Sequence, residues 1–215
     1  MGMFSPDSKL METLSKITDY IILNLLCLTF SIPIITIGAA FTARNYTAMK
    51  LVRGEEPSVW KSFMKSFKEN FKQITLVWAA FLVGFLILFF DWYNVLYGMG
   101  TNMPYILKAA LGVITFLVWA VCYCMFYFEA RFKVTTKELV KASAIMALLN
   151  FPRMIWIFII IFLPYVICLW YMQWGLAIWL FATTVSLYYI SREFNKQLLL
   201  IQERDEHEKT FVRNS

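Results

Sequence analysis

The chain has 215 residues, of which 60% are hydrophobic and 16% are charged. Soluble domains carry about 25% charged residues, so this composition excludes an ordinary soluble domain and favours one embedded in lipid. The net charge of +6 comes without a recognised nucleic-acid-binding motif. We therefore expect the basic residues to set the membrane topology and to contact the lipid bilayer, and we expect no nucleic acid partner.

The first apolar run extends over about residues 17–43. A helix needs roughly 20 apolar residues to cross a bilayer, and the leader of this run is too acidic for a signal peptide. The run therefore predicts a transmembrane helix that is retained in the chain. Pro33 is expected to kink this helix, and small residues from Gly38 to Ala43 are expected to pack closely against a neighbouring helix.

The remaining apolar runs predict two transmembrane hairpins. One predicted hairpin, 74–128, turns at Gly98–Pro104, where Gly, Asn and Pro cluster. The second comes from an uncharged run over residues 155–190, which would be about 54 Å long as one helix, whereas the hydrocarbon core is about 30 Å thick. We expect this run to turn back at Met172–Gly175. The predicted spans of the two hairpins are 74–97, 105–128, 155–171 and 175–191.

Lysine and arginine counts predict the orientation of the spans. Seven of these residues lie between Arg44 and Gln73, five between Glu129 and Arg153, and five from Ser191 onward. Cytoplasmic segments are enriched in Lys and Arg. The counts predict an N-terminus outside and a C-terminus in the cytoplasm. The predicted fold is a single all-α membrane domain, residues 1–215, with about five transmembrane helices.

Two amphipathic helices are predicted at the cytoplasmic membrane surface, over about 57–72 and 136–150. The first alternates aromatic residues with lysines at helical spacing, which is typical of a helix that lies on a membrane. The second begins at Thr135, with Glu138 placed to complete a capping box.

The two amphipathic helices end alike and each leads into a hairpin. Asn70-Phe71 precedes the predicted hairpin 74–128, and Asn150-Phe151 precedes the predicted hairpin 155–191, at an offset of 80 residues. This pattern predicts a possible parallel repeat, in which residues 57–128 and 137–191 are two copies of one unit.

No residue pattern in the sequence predicts catalysis, a cofactor or a metal site. The single histidine, His207, lies in a charged tail, and the four cysteines lie within apolar runs. We therefore expect a protein that is not an enzyme and that binds neither cofactor nor metal. Asn24 is the most deeply embedded polar residue. An interhelical hydrogen bond explains it more simply than a ligand or partner contact does.

Several stretches of the sequence resemble one known family. The stretch from Asn24 to Ala43, the group Arg53-Gly54-Glu55 and the group Asn70-Phe71-Lys72-Gln73 are similar to those of the YesL-like family of bacterial membrane proteins. That family is a domain of unknown function whose genes commonly lie beside sugar-uptake ABC transporters. The candidate motif residues are Asn24, Pro33, Thr36 and Gly38.

The resemblance implies a multi-pass protein of the bacterial cytoplasmic membrane that acts near carbohydrate import. We expect an accessory, assembly or regulatory partner of a sugar ABC importer, docking on its permease or ATPase subunits. An independent small transporter or channel and an enzyme with an undetected site are the alternatives. The candidate cytoplasmic docking face consists of Trp60, Phe63, Phe67, Asn70 and Phe71.

Overall fold

A computed structural model describes residues 9–55, 58–98, 104–170 and 175–214, and these residues form an all-helical bundle. A short 3₁₀ helix, Ile34–Thr36, lies between the first two α-helices. The α-helices in chain order are α1 Lys9–Phe30, α2 Ile37–Val52, α3 Val59–Tyr97, α4 Tyr105–Arg131, α5 Thr136–Leu149, α6 Phe151–Trp170 and α7 Gly175–Asn214.

Membrane insertion is supported by the length and apolar character of the helices. Within the described residues, α3 and α4 are each long and apolar enough to cross a membrane. A third crossing is added if α5 and the first part of α6 are counted as one bent span. The predicted count of about five spans is not confirmed.

The first apolar run is two helices rather than one, which corrects the prediction of a single span over 17–43. Pro33 has no N–H to donate and restricts the residue before it, and α1 ends at Phe30. The chain then reverses. The Tyr20 hydroxyl donates to the Ala48 carbonyl oxygen at 3.3 Å, so α1 and α2 lie antiparallel and form a hairpin. This α1–α2 hairpin, which the sequence did not predict, is called the first hairpin below.

This reversal also changes the relative placement of the termini. The start of α1 and the end of α2 lie at the same end of the bundle, because Tyr20 in α1 contacts Ala48 in α2. The side of the membrane on which the N-terminus lies stays a prediction.

The connection from α2 to α3 is a tight helix end. Gly54 adopts φ +73°, a conformation that glycine reaches without steric cost. Its N–H donates to the Leu51 carbonyl at 3.1 Å, and the Glu55 N–H donates to the Lys50 carbonyl at 3.2 Å. This Schellman pattern satisfies the last carbonyls of α2 and directs the chain back along it into α3.

Helix α3 is continuous over 39 residues, so the predicted surface helix 57–72 and the predicted span 74–97 are parts of one helix. A stripe of residues along its first half is buried at helical spacing and includes Val59, Phe63, Asn70 and Ile74. Apolar residues at this spacing form one face of a helix. That face packs against the first hairpin.

The second surface helix has a different relation to its span. Helix α5 begins with the predicted pairing, in which the Thr135 N–H donates to the Glu138 carboxylate at 3.0 Å. Its axis makes an angle of 92° with that of α6. The bend falls at Asn150, whose side-chain amide donates to the Met146 carbonyl at 3.0 Å. Pro152 follows in the first turn of α6, where proline is tolerated.

Helices α6 and α7 pack against each other as the second predicted hairpin requires. The Ser186 hydroxyl of α7 lies 3.2 Å from the Ile160 carbonyl of α6. The predicted turn, Met172–Gly175, falls outside the described residues except for Gly175, which begins α7. Helix α7 runs in the same direction as α4, since Tyr127 lies beside Ser191 and Arg131 beside Asn195. The parallel repeat itself stays a prediction.

Candidate functional site

The tip of the first hairpin contains the predicted motif residues Pro33 and Thr36. The Thr36 hydroxyl lies 2.6 Å from the Phe30 carbonyl and 2.8 Å from the Pro33 carbonyl. Helix ends leave carbonyl groups without partners, and an unsatisfied carbonyl in hydrocarbon is costly. Thr36 therefore supplies a donor where Pro33 ends the helical hydrogen-bond pattern.

Trp78 of α3 holds the tip from outside. Its indole N–H donates to the Ile34 carbonyl at 2.8 Å. One turn further along, Gly38 lies against the same side chain, and a methyl group added at Gly38 would stand 2.8 Å from the Trp78 Cβ. Only glycine permits this approach of α2 to α3, so Pro33, Thr36, Gly38 and Trp78 act as one structural unit.

The position of Trp78 shows how far the first hairpin reaches. Trp78 lies about one helical turn into the predicted span 74–97. From Trp78 to the end of α3, Tyr97, the helix continues for roughly 28 Å. Relative to the predicted span 74–97, the hairpin tip therefore lies at the level of its second helical turn. Ile32, Ile34 and Ile35 at the tip are exposed, as expected of side chains that meet lipid.

Asn24 is buried and makes an interhelical hydrogen bond. Its side-chain amide donates to the Thr184 hydroxyl of α7 at 3.2 Å. One turn away, the Tyr20 and Tyr188 rings meet edge to face at 5.8 Å. These two contacts fasten α1 to α7, as the structural interpretation of Asn24 expects.

The predicted docking face on α3 is mostly interior, which corrects the expectation that its five residues share an exposed surface. Phe63 is fully buried, and its ring lies 5.4 Å from that of Phe30 in the first hairpin. Asn70 is also buried and donates to the Ser66 hydroxyl at 3.1 Å. Phe67 packs on Phe30 at 5.1 Å, and Phe71 is partly buried beside Phe67.

Trp60 is the exposed member of that face, with 54% of its surface accessible. Its ring lies 6.3 Å from Phe30, so the cluster of Phe30, Phe63 and Phe67 supports it from below. The exposed lysines Lys61 and Lys65 follow it on α3. The outward surface here is one large aromatic ring beside positive charge.

A polar junction joins three helices at the end of the bundle that carries the basic residues. Arg53 and Arg131 both donate to the Asn195 side-chain oxygen, at 3.2 Å and 3.3 Å. Arg131 also donates to Gln202 at 3.0 Å. These contacts tie the end of α2 and the end of α4 to α7 beyond its apolar part.

Sequence reasoning missed the partners Trp78, Thr184 and Asn195. The sequence does contain a weak signal for Trp78, because an aromatic residue follows Ile74 by one turn and faces the same side of α3. No local pattern indicates that Thr184 faces Asn24, which lies 160 residues earlier.

Zinc and similar metal ions are bound in proteins mainly by His, Cys, Asp and Glu side chains. Among the described residues, no group of three or more of these is placed to hold a metal ion. Cys27, Cys122 and Cys124 are free and buried. The expectation that the chain is not an enzyme stays a prediction.

Residues 20–92 match the model of a family described as a protein of unknown function, DUF624. The matched segment is about a third of the chain. It includes most of the first hairpin and nearly all of α3, and thus the whole unit of Pro33, Thr36, Gly38 and Trp78. No curated protein and no solved structure matches the chain.

Proposed function

We propose that this chain is a non-enzymatic protein of the bacterial cytoplasmic membrane that serves as an accessory, assembly or regulatory partner of a carbohydrate ABC import system. The proposal takes the carbohydrate class from the resemblance to the YesL-like family. The match to a family of unknown function is consistent with that resemblance. The structural observation that carries the proposal is the length of two helices.

Helices α3 and α7 are much longer than a membrane is thick. They have 39 and 40 residues, or about 58 Å and 60 Å, against a hydrocarbon core of about 30 Å. Their excess lies at the end that holds the polar junction of Arg53, Arg131 and Asn195. In this proposal the excess length extends beyond the membrane and forms a helical platform for another subunit.

The platform faces the cytoplasm in this proposal, because cytoplasmic segments are rich in Lys and Arg. The first hairpin returns its own start to the same side. The proposed orientation thus has both termini in the cytoplasm and four crossings, made by α3, α4, α6 and α7. This replaces the earlier prediction of an N-terminus outside.

Single cysteines introduced into a variant without native cysteines test this orientation. Ser15→Cys in α1 and Ser58→Cys before α3 should react with an impermeant maleimide only after the cells are opened. Asn102→Cys, between α3 and α4, should react in intact cells. Labelling of Ser15→Cys from outside would restore the five-span topology.

Trp60 is the proposed anchor for the partner subunit. Aromatic residues on a supported surface are common hot spots in protein interfaces. The basic residues Lys61 and Lys65 beside it favour an acidic surface on the partner. In this proposal the acidic surface belongs to a permease or ATPase subunit of the importer.

Co-purification at native expression, followed by sugar uptake, tests the function. A tagged chain extracted in mild detergent should bring down permease or ATPase subunits of a sugar importer, and deletion of its gene should lower uptake of that sugar. Trp60→Ala should reduce the captured importer. Tyr105→Ala, an exposed aromatic residue at the opposite end of the bundle, is the matched control. Unchanged uptake and no importer subunit would refute the proposal.

An independent small transporter or channel is the second candidate, because the chain between α1 and α2 is unwound as in many transporters. The carbonyls of Phe30, Pro33 and Ile34 in that segment already accept hydrogen bonds from Thr36 and Trp78. They are thus committed to the fold. Solute flux through proteoliposomes that contain this chain alone would favour the transporter.

A further inference from the structure

A groove lies between α5 and the extended part of α7, at the end of the bundle that carries the basic residues. It has a volume of about 480 Å³, and the end of α4 and the start of α6 close it. Its walls are largely apolar and include Ile145, Leu149 and Leu200, all of which are exposed. Because α5 lies at 92° to α6, the groove is at the depth where a spanning helix meets the membrane surface.

Two kinds of polar residue line the groove, arginines and side-chain amides. Arg153 and Arg204 are the arginines. Arg153 is 3.5 Å from the Glu193 carboxylate and 3.3 Å from the Asn150 side-chain oxygen, so the acidic residue offsets one of the two charges. Among the described residues that line the groove, two are basic and none is acidic.

Gln197 supplies an independent observation. This residue lines the groove and is only 7% exposed. Its side-chain nitrogen donates to Glu193 at 3.3 Å, whereas its side-chain oxygen has no hydrogen-bond partner. Buried polar atoms are nearly always paired, so this oxygen marks a place for a donor group of a ligand.

We propose that this groove binds one molecule of an anionic phospholipid with a hydroxylated headgroup, such as phosphatidylglycerol. An acyl chain lies along Ile145, Leu149 and Leu200, the phosphate meets Arg153 and Arg204, and a headgroup hydroxyl donates to Gln197. Basic pockets between helices at the cytoplasmic surface commonly bind anionic headgroups. An apolar trough joined to positive charge at the membrane boundary matches a lipid in both of its parts.

Native mass spectrometry of the purified full-length chain in detergent tests the proposal, with phosphatidylglycerol and phosphatidylcholine as probes. Wild-type chain should bind phosphatidylglycerol more tightly than phosphatidylcholine. Because each arginine near a membrane surface contributes about a fivefold gain in affinity, Arg153→Gln with Arg204→Gln should weaken phosphatidylglycerol binding about 25-fold. Lys61→Gln with Lys65→Gln, which removes two exposed charges away from the groove, is the control and should change binding less than twofold.

Two further arms separate the lipid from other occupants. Ala142→Trp fills the groove and leaves both arginines in place, so it should displace the acyl chain and weaken binding. Excess inorganic phosphate should not displace the lipid, since phosphate alone lacks the acyl contacts. Equal binding of the two lipids, or equal loss in the control, would overturn the proposal. So would an Ala142→Trp variant that keeps the lipid and loses an importer subunit, since the groove would then be a protein site.

Discussion

Two segments of this chain share the residue pair Asn-Phe and fold differently. Asn70-Phe71-Lys72 lies inside the continuous helix α3, whereas Asn150-Phe151-Pro152 lies at a 92° bend between α5 and α6. Two differences separate them. Pro152 follows Asn150-Phe151 where Lys72 follows Asn70-Phe71, and α3 is flanked by the first hairpin, which α5 and α6 lack. In this chain, the surface helix that is continuous with its span is the one that has no proline at the junction and whose buried face packs against another part of the bundle.

Lys72→Pro places the proline of the second segment into the first and should have the largest effect. A proline within a helix removes a hydrogen bond and clashes with the preceding turn, at a cost of about 3 kcal/mol. Lys72 is exposed, so Lys72→Ala is a control for the lost side chain. The midpoint of denaturation in detergent, followed by circular dichroism, should drop for the proline variant alone. Equal midpoints would show that α3 tolerates a bend here.

Gly38→Ala tests the support that the first hairpin gives to α3. The added methyl group would meet the Trp78 Cβ at 2.8 Å, and overpacking of this kind costs about 1–3 kcal/mol. Gly84, in α3, has no neighbour within 4 Å of an added Cβ, so Gly84→Ala is the matched control. Its helix propensity should leave stability unchanged or raise it by up to about 1 kcal/mol. A smaller loss at Gly38 than at Gly84 would contradict the close contact.

Asn150→Ala should have a smaller and more local effect at the bend. It removes the side-chain donor to the Met146 carbonyl and the acceptor for Arg153, which together stabilise by about 1 kcal/mol. Hydrogen exchange should become faster in the last turn of α5 and remain unchanged in α3. Lys141→Ala, on the exposed face of α5, controls for general effects on that helix. Faster exchange in both variants would mean that α5 opens as a whole.

The smallest expected effect is a dependence on pH at the connection from α2 to α3. Burial opposes ionisation of Glu55, but Arg53 and Lys50 outweigh it and hold the pKa of this carboxyl below its ordinary value of 4.5. The resulting stability is present above that value and is lost as the pH falls through the lowered pKa. Because the carboxylate is 41% exposed, it should contribute less than about 1 kcal/mol. In the Glu55→Gln variant, the denaturation midpoint should fall less as the pH is lowered. A midpoint that falls with pH as in the wild type would exclude Glu55 as the source of the acid sensitivity.

Much of the fold follows from local sequence patterns. The apolar runs predict all of the described helices that can cross a membrane, and the spacing of Thr135 and Glu138 predicts the start of α5. The break at Pro33 is also predictable, because proline cannot continue the helical hydrogen bonds. Asn24 makes the kind of interhelical bond that its deep position indicates.

The direction of the chain after the break could not be predicted in the same way. A proline can kink a helix or reverse it, and local sequence does not distinguish the two outcomes. Here the reversal depends on Trp78, which lies 44 residues from the Ile34 carbonyl that it binds. The burial of the predicted docking face could not be foreseen for a similar reason. Phe63 and Phe67 have the spacing of a surface stripe, but Phe30 of a distant segment covers them.

The first hairpin has a consequence for the shape of the protein in its bilayer. In the proposed orientation, with α3 crossing the membrane over residues 74–97, the hairpin reaches the level of Trp78 and would displace lipid on one side of the midplane. The cross-sectional area of the protein is therefore larger in that leaflet than in the other. A bundle with this profile is a wedge, and lipids beside it pack with least strain where the membrane curves toward its narrow end.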